Sequence, residues 1–230
     1  MKKWVGLIQA FNELPENLPR AVASMRRICD KVVGYDDGST DGSTAWMSDH
    51  LDKVFIGSVN DWKSELQHKS QMLEWARAEG CDWVLWLDAD EELSPPAVAA
   101  LRRLEDRDDL TGICVPEINL WRSKESYRVD SQFGDAGFLR CWRMCHRLRY
   151  EPSGPGLHQQ QFPPTARESM TSLRYPDEPI IHYSWDSPEK IVAKHARYAA
   201  MGQCGPSLDR LLDVPNAVLV PVKPEWFWNQ

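Results

Sequence analysis

Two groups of carboxylates in this chain each close an apolar run. The first is Asp36-Asp37, within Tyr35-Asp36-Asp37-Gly38-Ser39. The second is Asp88-Ala89-Asp90-Glu91-Glu92, which follows Trp83-Val84-Leu85-Trp86-Leu87. Asp88, Asp90, Glu91 and Glu92 place four carboxylates within five residues. Such charges repel one another unless a cation compensates them. Hard oxygen ligands suit Mg²⁺ or Mn²⁺, and such an ion bridges a diphosphate readily. Acidic loops after strands also occur as plain solvated surface. Two of them, each ending an apolar run, favour a ligand site, because open α/β sheets bind ligands outside the carboxyl ends of their strands.

The elements that must position these residues follow from periodicity. Trp4–Ala10, Lys31–Tyr35, Lys53–Ile56 and Trp83–Leu87 are predicted strands, the last a continuous apolar run expected to be buried on both faces. Between them, Leu14, Leu18, Val22, Met25 and Ile28 recur at three- and four-residue steps, which predicts a helix over about 16–29. A second helix is predicted over 63–79, with Leu66, Met72, Leu73 and Ala76 inward. Ser39, Thr40 or Asp41 is placed to cap a helix after the first acidic turn. Ser94-Pro95 opens another, a cap followed by proline in the first turn. This alternation is the pattern of a largely parallel sheet covered by helices. From Gly112 the texture changes: Ile113–Trp121, Phe138–Met144 and Arg147–Tyr150 read as strands separated by polar loops. A last helix is predicted over Pro188–Met201, with Ile191, His195 and Tyr198 on one stripe. No internal repeat is evident.

Composition sets the limits. The 230 residues are 42% hydrophobic and 27% charged, ordinary globular material. No stretch approaches the ~20 apolar residues of a membrane span. Trp4–Ile8 is too short for the core of a secretory signal, so a cytoplasmic location is expected, and with it six reduced thiols. A net charge of −7 argues against a general nucleic-acid coat. The segment 140–149 nevertheless holds Arg140, Arg143, Arg147 and Arg149 with no acid. It reads either as a solvated hairpin or as a surface for phosphates, of a donor or of an anionic acceptor such as DNA. Among eleven tryptophans, Trp83 and Trp86 belong to the core strand, while Trp121, Trp142 and Trp185 are candidate stacking platforms for an acceptor.

The order and spacing of these motifs resemble glycosyltransferase family 2, whose members have the GT-A fold. The opening strand with Asn12-Glu13 is similar to the first motif of that family. Val32-Val33-Gly34-Tyr35-Asp36-Asp37-Gly38-Ser39-Thr40-Asp41-Gly42-Ser43 is similar to its second. Trp83–Glu91 resembles the strand ending in the D-x-D signature. A lone D-x-D carries little weight; three motifs in order over the first 95 or so residues carry much more. The resemblance implies an α/β, GT-A-type, Rossmann-like fold with a mainly parallel mixed sheet flanked by helices. It implies one domain, with a nucleotide-sugar-binding half over 1–110 and an acceptor-binding half over 111–230.

The resemblance also implies roles. Asn12, Glu13, Asp36, Asp37, Asp88 and Ala89 would border the donor, a nucleotide-diphosphate sugar with UDP favoured. Asp37 would face the base or ribose, and Asp88 the ribose. Lys69 would lie near the phosphates. Asp90 would ligate Mn²⁺ or Mg²⁺, with His158 or His182 completing the metal site. The family often reads His-Glu where this chain has His158-Gln159, and glutamine cannot act as a base. An inverting transfer needs one near the acceptor hydroxyl. Asp135 is the first candidate and Asp130 the second. The acceptor by analogy is a glycan, with a hydroxymethylated base in viral DNA as the other option. The rival readings are a non-catalytic nucleotide-sugar or glycan-binding module, suggested by Gln159, and a sugar nucleotidyltransferase. The latter is disfavoured by Ala10-Phe11-Asn12-Glu13 in place of a Gly-rich basic loop.

Overall fold

The structure is a computed structural model that describes residues 1–130, 133, 137–151, 162–200 and 217–228, and of Trp62, His195 and Tyr198 the backbone alone. In chain order the main elements are β1 (Trp4–Ala10), α1 (Asn17–Met25), β2 (Lys31–Asp36), α2 (Ser43–His50), β3 (Lys53–Ile56), α3 (Glu65–Ala78), β4 (Trp83–Trp86), β5 (Glu91–Leu93) and α4 (Pro95–Leu104). There follow β6 (Gly112–Asn119), β7 (Ser126–Arg128), β8 (Gly137–Arg143), β9 (Met170–Ser172), β10 (Ile180–His182), α5 (Pro188–Ala200) and β11 (Leu219–Pro221). A nine-stranded sheet runs β3-β2-β1-β4-β8-β6-β10-β5, with β9 also on β6; β11 and β7 form a separate ribbon. β3, β2, β1 and β4 are mutually parallel, β8 is antiparallel to both β4 and β6, and β5 is antiparallel to β10.

Alternation along the central strands explains the layers. Successive strand residues face opposite sides. Trp4 and Ile8 of β1 and Trp83 and Leu85 of β4 join one core with Leu18, Val22 and Met25 of α1 and Leu101 of α4. Val5 and Leu7, with Val84 and Trp86, join the other with Met72, Leu73 and Ala76 of α3. Both faces of β1 and β4 are thus covered, as their unbroken apolar runs require. The indoles of Trp4 and Trp83 stack with centroids 5.3 Å apart, and both ring N–H groups donate to Glu105, at 2.8 and 3.0 Å. Ser94 caps α4 by accepting from the Ala97 N–H at 3.2 Å, with prolines in the first turn, as its sequence predicts.

Two predicted elements differ. Glu91–Leu93, read as an acidic loop, is the buried strand β5. Arg147–Tyr150, read as a strand, joins no sheet. Leu148 and Tyr150 are buried and Arg147 and Arg149 exposed, so the alternation is real, but it reflects packing of two side chains into the core beneath α3. Alternation reports which face is apolar; it does not supply a partner for the backbone. No helix among the described residues is long and apolar enough to cross a membrane.

Candidate functional site

The first carboxylate pair lies where β2 ends. Gly38 turns the chain with φ 76°, and a Cβ there would sit 2.6 Å from the carbonyl carbon of Val59, so this turn requires glycine. Asp36 is fully buried and accepts from the Thr44 hydroxyl at 2.7 Å and the Ser39 N–H at 3.3 Å, which ties the turn to α2. Asp37 accepts from the Asp61 N–H at 3.0 Å and the Asn60 amide at 2.9 Å, and His68 Nδ1 lies 4.0 Å away. Burial pushes the Asp37 carboxyl upward, and burial also lowers His68, which stacks on Tyr35 at 3.7 Å. Asn12, at φ 56°, takes the Thr40 N–H on its carbonyl at 2.7 Å and gives its own N–H to Ser39 Oγ at 2.9 Å. Asn12 and the second motif are therefore joined. Glu13 accepts from Asn17 at 2.9 Å, and burial followed by the Asp90 charge raises its carboxyl to about 7.

The second cluster is divided rather than shared. Asp88 takes the Trp86 indole N–H on one oxygen at 2.8 Å and Arg140 on the other at 3.3 Å, while its backbone N–H donates to Glu91 at 2.9 Å. Arg140, on β8, is 2% exposed and also binds Glu91, together with Glu117 of β6 at 3.3 Å. Glu92, on the opposite face of β5, accepts the Tyr183 hydroxyl at 2.5 Å, with Arg20 Nε 3.9 Å away. Four adjacent carboxylates are tolerated because an alternating strand sends Glu91 and Glu92 to opposite faces. There the protein's own donors and cations answer them. The expectation that an added cation must compensate the whole run is corrected accordingly.

Asp90 is the member that keeps a metal-like arrangement. Its Oδ2 lies 3.3 Å from His182 Nε2 and 3.7 Å from Lys194 Nζ, and it accepts the Ser184 hydroxyl. On the far side of the imidazole, Nδ1 donates to Asn119 Oδ1 at 2.7 Å, with Glu117 at 3.3 Å; Asn119 in turn donates to Glu117 at 2.9 Å. Burial alone would lower the His182 pKa, but Asp90 and Glu117 outweigh it and raise it to about 10. Burial likewise works against the Asp90 charge, yet His182 and Lys194 hold that carboxyl well below its usual range. Burial opposes Glu117 too, and His182 and Arg140 bring it to about 2. A histidine whose second nitrogen is engaged by a carboxylate and an amide is how proteins orient a metal ligand. Asp90 and His182 fit two protein ligands of a Mg²⁺ or Mn²⁺ ion whose other positions are water and phosphate oxygen. No group of three His, Cys, Asp or Glu side chains among the described residues offers a complete cage.

Several other expected residues sit elsewhere. His158, the other metal candidate, and Asp135, the candidate base, lie outside the described residues. Asp130 is held by Nε and Nη2 of Arg128 at 2.8 and 2.7 Å, and that hydrogen bonding lowers its carboxyl to about 2. Lys69 is 1% exposed, paired with Glu65 at 2.6 Å and 4.8 Å from the centroid of the Trp86 ring. Ala89 is packed in the core. The four arginines form no common surface. Arg140 is buried among carboxylates, and Arg143 donates to the Leu110 and Arg107 carbonyls. Arg147 is exposed and pairs with Glu168 at 3.4 Å. Trp121 and Trp142 are at most 1% exposed, and Trp185 is buried against Trp121 and Phe133, so none is an open platform.

The sequence reading missed Glu117, Asn119, Arg140 as an anchor, Ser184 and Lys194. A signal existed for the first two. Glu117 and Asn119 are two apart in an otherwise apolar strand, hence on one face, and a charged residue there needs a partner.

A mixed α/β sheet with acidic turns at the ends of β2 and β4 defines the GT-A class of fold. The comparisons agree. The model for glycosyl transferase family 2 matches residues 7–132, and the chain belongs to that family. Crystal structures of S. aureus TarS 1-349 share the fold. One has a TM-score of 0.56 at 14% identity, covering 91% of this chain and 69% of that one. Another, in complex with UDP-GlcNAc, has 0.56 at 13%, covering 91% and 70%. A TPR repeat-containing protein of Synechococcus elongatus is 29% identical over 183 residues, 79% of this chain. The chain spans 42% of that relative's length.

Proposed function

We propose that this chain transfers a sugar from a nucleotide-diphosphate sugar to an acceptor hydroxyl, with inversion, and that Asp90 and His182 hold the divalent ion of the donor site. The observation that carries this reading is the Asp90–His182 pair beside the carboxyl end of β4, with His182 oriented by Asn119 and Glu117. When bound, the ion supplies positive charge to the leaving diphosphate. The chain's own residues do the rest. Asp37, held by Asn60 and Asp61, presents its carboxylate edge to the base or ribose. Asp88, fixed from two sides by Trp86 and Arg140, faces the ribose. The acceptor oxygen attacks the anomeric carbon, the bond to the diphosphate breaks, and a base takes the hydroxyl proton. Asp135, two residues before β8 in the sequence, is the candidate for that base. A glycan is the proposed acceptor.

The similar S. aureus protein was crystallised with UDP-GlcNAc, which makes UDP-sugars the first donors to test. Ligands that bind the native state raise its melting temperature. A thermal-shift screen of nucleotide sugars with and without Mn²⁺ should show one donor whose stabilisation needs the ion and disappears in Asp90→Ala. Flat curves for every donor would refute the reading.

A further inference from the structure

A cavity of about 720 Å³ lies on the face of the β5–β10 pair opposite Glu91 and His182. Tyr183 and Glu92, neighbours of His182 and Glu91 on alternating strands, point into it, away from the Arg140 nest. Its other walls are Arg20 and Arg27 of the α1 segment, Lys124, and Phe227 and Trp228 near the end of the described chain.

Two arginines are held there by aromatic rings. The Arg20 guanidinium sits 3.4 Å from the centroid of the Tyr183 ring, and the Arg27 guanidinium 4.8 Å from that of Trp228. At Arg27 stacking of this kind fixes the planar fork; Arg20 instead donates through Nη2 to Asn17 Oδ1 at 2.6 Å and lies beside Glu92. Trp228 is itself anchored, its indole N–H donating to the Leu93 carbonyl at 2.8 Å. The acids of the cavity are already answered. Glu16 pairs with Lys124 at 3.4 Å, and Glu92 takes the Tyr183 hydroxyl at 2.5 Å beside Arg20. Arg20 Nε is itself buried, whereas Arg27 is exposed and has no carboxylate within 4.0 Å among the described residues. The cavity therefore combines aromatic surface with one oriented guanidinium, that of Arg27, which no carboxylate answers.

We infer that this cavity is a binding site, separate from the donor site, for a sugar that carries a phosphate or carboxylate group. The sugar packs on the exposed parts of Trp228 and Phe227, and its anionic group meets the Arg27 guanidinium. The two anionic sources share this chemistry, and single ligands separate them. The inference does not depend on the metal or the donor.

Calorimetric titration tests it with glucose 6-phosphate, glucuronate, glucose and inorganic phosphate, each to about 20 mM, the range where weak single-site binding is measurable. At least one acidic sugar should bind, and more tightly than glucose or phosphate. Arg27→Gln, at an exposed position and so compatible with the fold, should weaken it about tenfold, the worth of one charge-assisted hydrogen bond. Trp228→Ala should weaken it as well, whereas Asp90→Ala should leave it unchanged. Absence of binding by either acidic sugar overturns the inference. So does phosphate binding as tightly as the acidic sugars, glucose binding as tightly as they do, or indifference to Arg27→Gln. Loss of binding in Asp90→Ala would assign the ligand to the donor site instead and would also overturn it.

Discussion

Arg140→Met tests the carboxylate nest behind the candidate donor site. Arg140 is 2% exposed and faces Glu91, itself 1% exposed, along with Glu117 and Asp88. Removing the cation leaves two buried carboxylates without their partner. Breaking a buried pair in this way costs about 3–5 kcal/mol. With an unfolding entropy of about 2.1 cal/mol/K per residue, 230 residues give roughly 0.5 kcal/mol/K, so the melting temperature should fall by about 6–10 °C at pH 7. Burial already pushes Glu91 well above the usual carboxylate range, with Asp88 and Glu117 adding to that push and Arg140 opposing it. Without Arg140 it should take up a proton more readily, and the deficit should shrink as pH falls. Replacing Glu91 by leucine in the same chain should restore much of the loss, because apolar packing often matches a buried pair. Calorimetric melting of wild type, R140M and E91L/R140M across pH 5–8 measures all three effects. A drop under about 2 °C at pH 7, or a deficit that grows on acidification, would refute the reasoning.

Further tests concern single positions. Against its burial, Asp90 and Glu117 raise the His182 pKa from its ordinary value of about 6.5 to about 10. Its contribution to stability is therefore fully present below pH ~6.5 and lost as pH rises to about 10; melting in EDTA should show that decline, and His182→Gln should abolish it. Because an ion must displace the His182 proton, Mn²⁺ affinity by titration should rise with pH over the same window, and a pH-independent affinity would contradict the ligand assignment. Gly38→Ala should destabilise by more than about 1 kcal/mol in denaturant melts, since the new methyl meets the Val59 backbone at φ 76°; a neutral result would mean the turn is wrongly described. Asp37→Asn should weaken donor binding in thermal shift while leaving the unliganded melting temperature within a few degrees, and unchanged donor stabilisation would remove Asp37 from the site.

The front half of the fold was legible because β1 and β4 are nearly continuous apolar runs and α1 and α3 keep a three-to-four-residue period. β5 was not, since Glu91-Glu92 looks like solvated turn; only the arrival of Arg140 and Tyr183, 49 and 91 residues later in the chain, makes those charges tolerable in a strand. The same distance hid the site's second layer. Asp90 and His182 were both named from the chain, yet what unites them is the parallel register that sets His182 beside Asn119 and the antiparallel one that sets it opposite Glu91. The arginine-rich segment left a solvated hairpin and a phosphate surface both open, because proximity in sequence does not fix a common face. Arg140 points inward from a strand, and Arg147 and Arg149 follow after that strand has ended.

The most direct measurement of the central claim is UDP release from UDP-sugars in Mn²⁺, compared between wild type and Asp90→Ala. Donor hydrolysis by the wild type, lost in EDTA and in Asp90→Ala while that variant still folds and melts cooperatively, is the result expected. Equal UDP release by the folded variant, or no turnover by wild type with any nucleotide sugar that it binds, would contradict the account.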